Sequence, residues 1–264
     1  MTRQWQKSAE VELSFPLAFR LYDGMGTMRA RPLVLYLRGN SFGARPKPEC
    51  DAPAALAMAE AGAMVVEADY GTPSGNTFPG ALECGFEALR HLLAKRKRFA
   101  NNRSRVLLAG DEAGGNIAAS LALKARDAMP GELAGQVLLS PMIDPRMATA
   151  SFHRADEIGM RIPWSNGWSH YLASACGYQH PYAAPCLCSR LADVAPALIV
   201  TSDDDPLRDE TLDYAARLQS AGVSVTTRIL PDDCGWTGLY DGKNGGWHSR
   251  FSTEFSQFLE GLPT

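Results

Sequence analysis

The sequence predicts an α/β protein with a central, mostly parallel sheet and helices on both of its faces. Short apolar runs such as Leu33–Leu37 are continuous rather than alternating. This is typical of a strand that is buried on both faces of a sheet. The runs alternate along the chain with segments of helical periodicity, a pattern that favours a parallel sheet. Ligands of such sheets bind outside the carboxyl ends of the strands, so functional residues are expected in the loops there.

The individual strands and helices are predicted from apolar runs, from helical spacing and from residues that typically begin or end a helix. Pro53 suits the first turn of a helix and Gly62 suits the position just after its end. Predicted strands are Val11–Leu21, broken near Pro16, and Leu33–Leu37, Ala63–Ala68, Val106–Ala109, Gln136–Leu139, Ala197–Val200 and Val223–Leu230. Predicted helices are Pro53–Ala61, one starting at Ala81 with its apolar face at Leu82, Phe86, Leu89 and Leu93, then Ala113–Ala128, Leu207–Ala221 and Ser249–Leu259.

A single domain covering 1–264 is expected, because α/β domains of about 250 residues are common. Residues 145–185 interrupt the alternation and are rich in tryptophan and tyrosine. We interpret this insertion as a small helical cap over the site. The alternative is a surface excursion without a role in the site.

Composition narrows the classes of function. The formal net charge of −3 gives no basic stripe over the whole chain, so no nucleic-acid partner is expected. No apolar run approaches the ~18 residues of a membrane span, and the first residues lack the apolar core of a signal peptide. Six scattered cysteines without a CxxC pair predict no metal site and a cytoplasmic protein. No cofactor is expected, because neither a P-loop nor a GxGxxG motif is present.

The most informative segment is the strand at Val106 followed by Gly110-Asp-Glu-Ala-Gly-Gly-Asn116. A strand that enters a glycine-flanked turn and then a helix of small residues is the context of a nucleophile elbow. Such a turn lifts one side chain above the sheet at a helix N-terminus. Here that side chain belongs to Glu112.

With these residues the chain resembles the α/β-hydrolases of the hormone-sensitive-lipase and bacterial carboxylesterase type. Their signature Gly-Asp-Ser-Ala-Gly-Gly-Asn is matched at 110–116 except at its centre. Similar blocks are Asp69–Glu83, Gln136–Asp144, His180–Pro185 and Asp205–Glu210, the last of which carries the family's acidic triad residue. The resemblance therefore implies an α/β-hydrolase fold with Asp205 at the acidic position.

Three departures from the family pattern bear on catalysis. Glu112 stands at the nucleophile position, and Cys234 stands where the family has histidine. The oxyanion loop reads Arg38-Gly-Asn-Ser-Phe42 instead of His-Gly-Gly-Gly-Phe. A serine relay needs a base with a pKa near 7, and a thiol between two carboxylates does not supply one. Conventional esterase activity is therefore not expected.

Two roles for Glu112 are open. Its carboxylate lies at a helix N-terminus, where the dipole favours an anion. We expect it to fold into the oxyanion hole, whose donors would be the backbone amides of Asn40, Ser41 and Ala113. The alternative is a general base or nucleophile in an apolar pocket with a raised pKa.

The remaining candidate residues are those expected to line a pocket for a small molecule. These are Arg38, Phe42, Trp164, Trp168 and Trp236. Arg38 is expected either to pair with a substrate carboxylate or to form an ion pair with a nearby acid. Each tryptophan is equally open to ordinary packing.

Three hypotheses for function follow. The first is a degenerate homologue that binds a small molecule or protein. The second is an enzyme repurposed around Glu112, such as a lyase, an isomerase or an unusual hydrolase. The third is a residual esterase. Only 37 residues precede Arg38, fewer than the resemblance implies, so the site is expected to be either more open or closed by a second subunit, which leaves a homodimer as one alternative.

Overall fold

Seven strands form one sheet in the part of the chain that the structure, a computed structural model, describes: residues 19–24, 31–43, 50–71, 76–173 and 179–262. Numbered along the chain, they are β1 (Phe19–Asp23), β2 (Leu33–Leu37), β3 (Met64–Ala68), β4 (Val106–Asp111), β5 (Gly135–Leu139), β6 (Ala197–Ser202) and β7 (Val225–Leu230). Their order across the sheet is β1-β3-β2-β4-β5-β6-β7. Only the β1–β3 pair is antiparallel, so the predicted, mostly parallel sheet is confirmed.

The helices of the described residues cover both faces of this sheet. They are α1 (Pro53–Glu60), α2 (Gly80–Ala94), α3 (Arg96–Phe99), α4 (Glu112–Ala128), α5 (Arg161–Tyr171), α6 (Arg208–Ser220) and α7 (Trp247–Gly261). Successive strand residues point to opposite faces. Accordingly, Val34 packs in the core under α1 and α7, whereas Leu35 packs in the core under α2, α4 and α6.

The predicted elements agree closely with those observed. Each predicted strand or helix that lies in the described residues occurs, with ends shifted by up to about three residues. Val11–Ala18 of the first predicted strand lies outside the described residues. The short helix α3 was not predicted, because its sequence Arg-Lys-Arg-Phe has no apolar period and no buried residue.

The segment between β5 and β6 contains the helix α5 and short 3₁₀ turns at Ser151–Ala155 and Pro185–Leu187. Helix α5 packs directly on the 3₁₀ turn Ser41–Gly43 that follows β2. Gly167 permits this contact, since a Cβ atom at that position would lie 2.2 Å from the carbonyl oxygen of Ser41. Helix α5 therefore lies over the loop at the carboxyl end of β2.

The start of α4 approaches the neighbouring strand β2 equally closely. A Cβ atom added at Gly114 would lie 2.0 Å from the carbonyl oxygen of Leu37. Both groups belong to buried backbone that is fixed by the sheet and the helix, so neither can move aside cheaply.

We expect Gly114→Ala to lower the free energy of unfolding by about 3 kcal/mol, at the upper end of the range for overpacking, because backbone must shift. Chemical denaturation monitored by circular dichroism measures this. Gly261→Ala at the end of α7 is the control, because nothing lies within 4 Å of its added Cβ. Equal effects of the two substitutions would contradict the packing argument.

Candidate active site

The turn between β4 and α4 has the conformation of an elbow, and Glu112 is at its apex. Glu112 has a φ of 52°, in the left-handed region that residues with a Cβ atom seldom adopt. Gly110 allows the turn to be this tight, since a Cβ there would lie 2.4 Å from the carbonyl oxygen of Gly114. The chain therefore holds a carboxylate where this kind of turn presents one side chain above the sheet.

The Glu112 carboxylate is buried and accepts three hydrogen bonds. The backbone N–H of Ser41 donates to Oε2 at 3.0 Å, and the Ser41 hydroxyl donates to Oε1 at 2.9 Å. The indole N–H of Trp164 also donates to Oε1. The side chain is 3% exposed. Because a buried carboxylate is tolerated only when its lone pairs are satisfied, these donors account for its presence in the interior.

The expected oxyanion donors are used only in part. The Ser41 amide binds Glu112, but no hydrogen bond joins the amide of Asn40 or Ala113 to that carboxylate among the described residues. The Asn40 side-chain oxygen instead accepts from the Tyr70 hydroxyl at 2.7 Å and from the Gly43 N–H at 3.1 Å. Of the three amides that were expected to bind Glu112, the one that does so is that of Ser41.

The turn at Ser41 and Phe42 adopts a backbone conformation that glycine favours, although neither residue is glycine. Ser41 and Phe42 have φ values of 50° and 52°. A non-glycine residue in this region costs on the order of 1 kcal/mol, so the surrounding contacts must hold it. The hydrogen bonds from Ser41 to Glu112 and the packing of α5 on this turn supply those contacts.

Asp205, at the position of the triad acid, is fully buried and accepts five hydrogen bonds. The donors are the hydroxyls of Ser140, Thr201 (2.7 Å) and Tyr240 (2.6 Å), the indole of Trp236 (2.8 Å) and the N–H of Leu207 (2.9 Å). Burial raises the pKa of Asp205, and the hydrogen bonds oppose that rise. The carboxylate thus serves as a hub that joins the ends of β5 and β6 to the Trp236–Asp241 turn.

The structure does not bring Cys234 between Asp205 and Glu112. Its side chain is buried in the core under α1 and α7, together with Trp247. Burial raises the pKa of this thiol, and the carboxylate that adds to the effect is Asp204. The side chains that reach Asp205 from the turn that follows are those of Trp236 and Tyr240. Triad spacing alone did not indicate this, because it says nothing about which side chain of the turn faces inward.

Tyr240 is a site residue that the sequence reasoning missed. Its hydroxyl donates to Asp205, and its ring makes an edge-to-face contact with Trp164, with centroids 5.2 Å apart and planes at 84°. Trp164 in turn donates to Glu112. The two rings therefore connect the two carboxylates. No local signal in the sequence indicated Tyr240, because Trp236 and Tyr240 lie in a 3₁₀ turn, where side chains four apart do not share a side.

Of the residues expected to line a pocket, Phe42, Trp164 and Trp168 lie in one buried core, whereas Trp236 lies in the core on the other face of the sheet. Phe42 stacks on Tyr171 with centroids 4.1 Å apart and lies 4.8 Å from the ring of Trp168. Phe42, Trp164, Trp168 and Trp236 are all buried. A ligand between the elbow and α5 would therefore have to displace aromatic side chains.

Arg38 is buried beside the elbow, and its guanidinium donates to the carbonyl oxygen of Cys50 at 2.7 Å. Its neighbour Gly39 donates its N–H to Asp111 at 3.1 Å. Burial raises the pKa of Asp111 to about 6, and the adjacent Glu112 contributes to the rise. The Arg38 guanidinium and the Asp111 carboxyl group are therefore both buried beside the elbow, where they make structural hydrogen bonds.

Three further features of the described residues concern metal binding, histidines and membrane-spanning helices. Among the described residues, no three His, Cys, Asp or Glu side chains are placed to hold a metal ion. The chain's five histidines all lie in the described part, and none donates to or accepts from Glu112 or Asp205. No helix that the structure describes combines the length and apolar character needed to cross a membrane.

Comparison with known proteins fits this fold and elbow. A family model described as alpha/beta hydrolase fold matches residues 34–234. The chain is 31% identical to the esterase LipI of Mycobacterium tuberculosis over 74% of this chain and 62% of that protein. It is 30% identical to the carboxylesterase NlhH of the same species over 77% of this chain and 69% of that protein.

Solved structures give the same result. The esterase LipW from Mycobacterium marinum superposes with a TM-score of 0.76 at 29% identity, covering 93% of this chain and 77% of that one. A thermostable esterase from Pseudomonas putida gives a TM-score of 0.79 at 25% identity, covering 94% and 80%. The chain belongs to the α/β-hydrolase family.

Trp164→Phe is expected to lower the free energy of unfolding by about 2 kcal/mol, because it leaves a buried carboxylate without one donor. Trp168→Phe, which removes an indole that does not bind Glu112, is the matched control and is expected to have a smaller effect. A double-mutant cycle of Trp164→Phe with Glu112→Ala, which removes the acceptor, measures the coupling. Equal effects of the two tryptophan variants with no coupling would contradict the role assigned to this hydrogen bond.

Glu210, in the segment that carries Asp205, is a second buried carboxyl group. Its Oε1 accepts the N–H groups of Ile143 at 2.7 Å and Asp144 at 3.3 Å, whereas Oε2 has no partner among the described residues. Burial raises the pKa of Glu210 to about 8. The folded protein therefore retains this proton at neutral pH.

Stability is expected to fall as pH rises from about 4.5 to about 8, because the folded state binds this proton more tightly than the unfolded state across that window. Glu210→Gln removes the titration. The variant should match the wild type at pH 5 and be more stable by about 2 kcal/mol at pH 8. Urea denaturation at both pH values tests this, with the exposed Glu157→Gln as control. An unchanged pH dependence in Glu210→Gln would show that Glu210 is ionised in the fold.

Proposed function

We propose that this α/β-hydrolase is not a serine esterase and that it acts by binding a small molecule or a protein. The observation that carries the proposal is the buried Glu112 carboxylate at the elbow, held by Ser41 and Trp164. The side chain at this position cannot act as a hydroxyl nucleophile. It also occupies a donor that an ester oxyanion would need.

The absence of a suitable base supports the same proposal. A serine-type relay needs an imidazole, or a group of similar pKa, within hydrogen-bonding reach of the nucleophile. The space between Asp205 and Glu112 is spanned instead by the rings of Tyr240 and Trp164. The pKa of Tyr240 is raised well above 10 by burial and by Asp205, so its hydroxyl is a poor base at neutral pH.

The second candidate function is an enzyme that uses Glu112 as a base or nucleophile. One observation favours it: the positive φ of 52° keeps the carboxylate at the apex of the elbow. Against it, both carboxylate oxygens already accept hydrogen bonds, and no described histidine is near to complete a hydrolytic cycle. An ester formed on Glu112 would lack a base for its hydrolysis.

Hydrolysis of p-nitrophenyl acetate tests the proposal. Wild type and Glu112→Ala are both expected to show only the uncatalysed rate. Glu112→Ser with Trp164→His places a hydroxyl at the elbow and an imidazole at the position whose side chain hydrogen-bonds to Glu112, and we expect its rate to exceed the uncatalysed rate at least about tenfold, a fraction of the usual gain from a general base.

Glu112→Ser with Cys234→His is the matched control for position, and it should remain inactive because the Cys234 side chain lies in the opposite core. Turnover by the wild type that Glu112→Ala abolishes would establish the second candidate. Turnover that survives Glu112→Ala would establish a residual esterase with another nucleophile.

A further inference from the structure

A strongly basic segment lies at the opposite end of the sheet from Glu112. Residues 90–105 contain seven of the chain's 26 lysines and arginines and no aspartate or glutamate, although the whole chain has a net charge of −3. The seven are Arg90, Lys95, Arg96, Lys97, Arg98, Arg103 and Arg105. The small total charge of the sequence therefore conceals a local concentration of positive charge.

The fold places this segment far from the elbow. It runs from the end of α2 through α3 to the start of β4, whereas Glu112 follows the last residue of β4. A strand of this length separates the two sites by roughly 20 Å. A ligand on the basic segment would therefore not contact the elbow.

Three of the seven cations have partners within the protein. Arg90 pairs with Glu87 at 2.9 Å, and Arg96 pairs with Glu132 at 3.1 Å. Arg105 donates to the carbonyl oxygens of Leu259 and Leu262 at the end of α7. These contacts are structural and do not need a ligand.

The other four cations, Lys95, Lys97, Arg98 and Arg103, are exposed and form no ion pair among the described residues. Burial lowers the pKa of His91, and the charges of Lys95 and Arg98 lower it further. The charges of Lys95 and Arg98 therefore both act on His91, near the end of α2. Four unpaired cations this close together repel one another, and a negatively charged partner would relieve that repulsion.

A shallow groove of about 680 Å³ lies between the ends of α2 and α4, at the start of the segment that carries these cations, since its lining residue Ala94 directly precedes Lys95. Its apolar lining is Leu93, Ala94, Met129 and Pro130. Arg90 and His91 also line it, and so do Glu87 and Glu132, the two carboxylates that are paired with arginines. The four unpaired cations follow this lining along the chain, so positive charge stands to one side of an apolar groove.

We propose that this groove and the four cations form a docking surface for a polypeptide segment that carries both acidic and apolar side chains. Acidic side chains of the segment would pair with the four cations, and its apolar side chains would fill the groove between Leu93 and Met129. The carboxylates of Glu87 and Glu132 inside the groove disfavour a uniform polyanion such as a nucleic-acid backbone.

Fluorescence anisotropy with a short labelled peptide of mixed Glu and Leu, titrated with the full chain, tests the proposal. We expect saturable binding that weakens as salt rises toward 0.15 M, where charges are screened beyond ~8 Å. Lys97→Glu with Arg98→Glu should weaken binding about tenfold or more, because it reverses the complementarity. Met129→Gln should weaken binding of the Glu–Leu peptide but not of poly-Glu.

Lys243→Glu with Arg250→Glu is the matched control, since it makes the same change of charge at exposed positions elsewhere. Its effect should stay within about twofold. Equal weakening by the two charge-reversed variants would overturn the proposal. So would tighter binding of duplex DNA or of phosphatidylglycerol vesicles than of the peptide, or the absence of saturable peptide binding. Unchanged unfolding of the Lys97/Arg98 variant excludes misfolding as the cause.

Discussion

The burial of the Glu112 carboxylate constrains everything around the elbow. Moving an ionised carboxylate from water into a protein interior costs several kcal/mol unless hydrogen bonds replace its hydration. Ser41 and Trp164 supply those bonds, one from the turn after β2 and the other from α5. The positive φ values of Ser41 and Phe42 are sustained by the same contacts. The Glu112 side chain therefore connects the elbow, the turn at Ser41 and Phe42, and helix α5.

Aromatic side chains pack beside the elbow. Helix α5 rests on the Ser41 turn through Gly167, and the ring of Phe42 packs on those of Trp168 and Tyr171. These rings belong to one buried core with Trp164 and Tyr240. The relatives named as esterases share the α/β-hydrolase fold with this chain.

A second buried carboxylate is satisfied in a parallel way. Asp205 accepts an indole N–H from Trp236 and a hydroxyl from Tyr240, just as Glu112 accepts the indole N–H of Trp164. An indole donates a hydrogen bond but cannot accept a proton, so it preserves the geometry of the acid without providing a base. The Asp205 carboxylate is therefore hydrogen-bonded on both oxygens without an imidazole partner among the described residues.

The sequence by itself determined the fold class, the positions of the strands and helices, the elbow, and the carboxylate at its apex, because periodicity and turn residues are local signals. The resemblance also predicted that Glu112 stands at the nucleophile position and Cys234 at the histidine position. Only the tertiary structure decided that Trp236 and Tyr240, rather than Cys234, reach Asp205, and that Trp164 reaches Glu112. These contacts join residues 31 to 52 positions apart. Such pairings depend on how α5 and the last 3₁₀ turns pack on the sheet, and no local pattern encodes that.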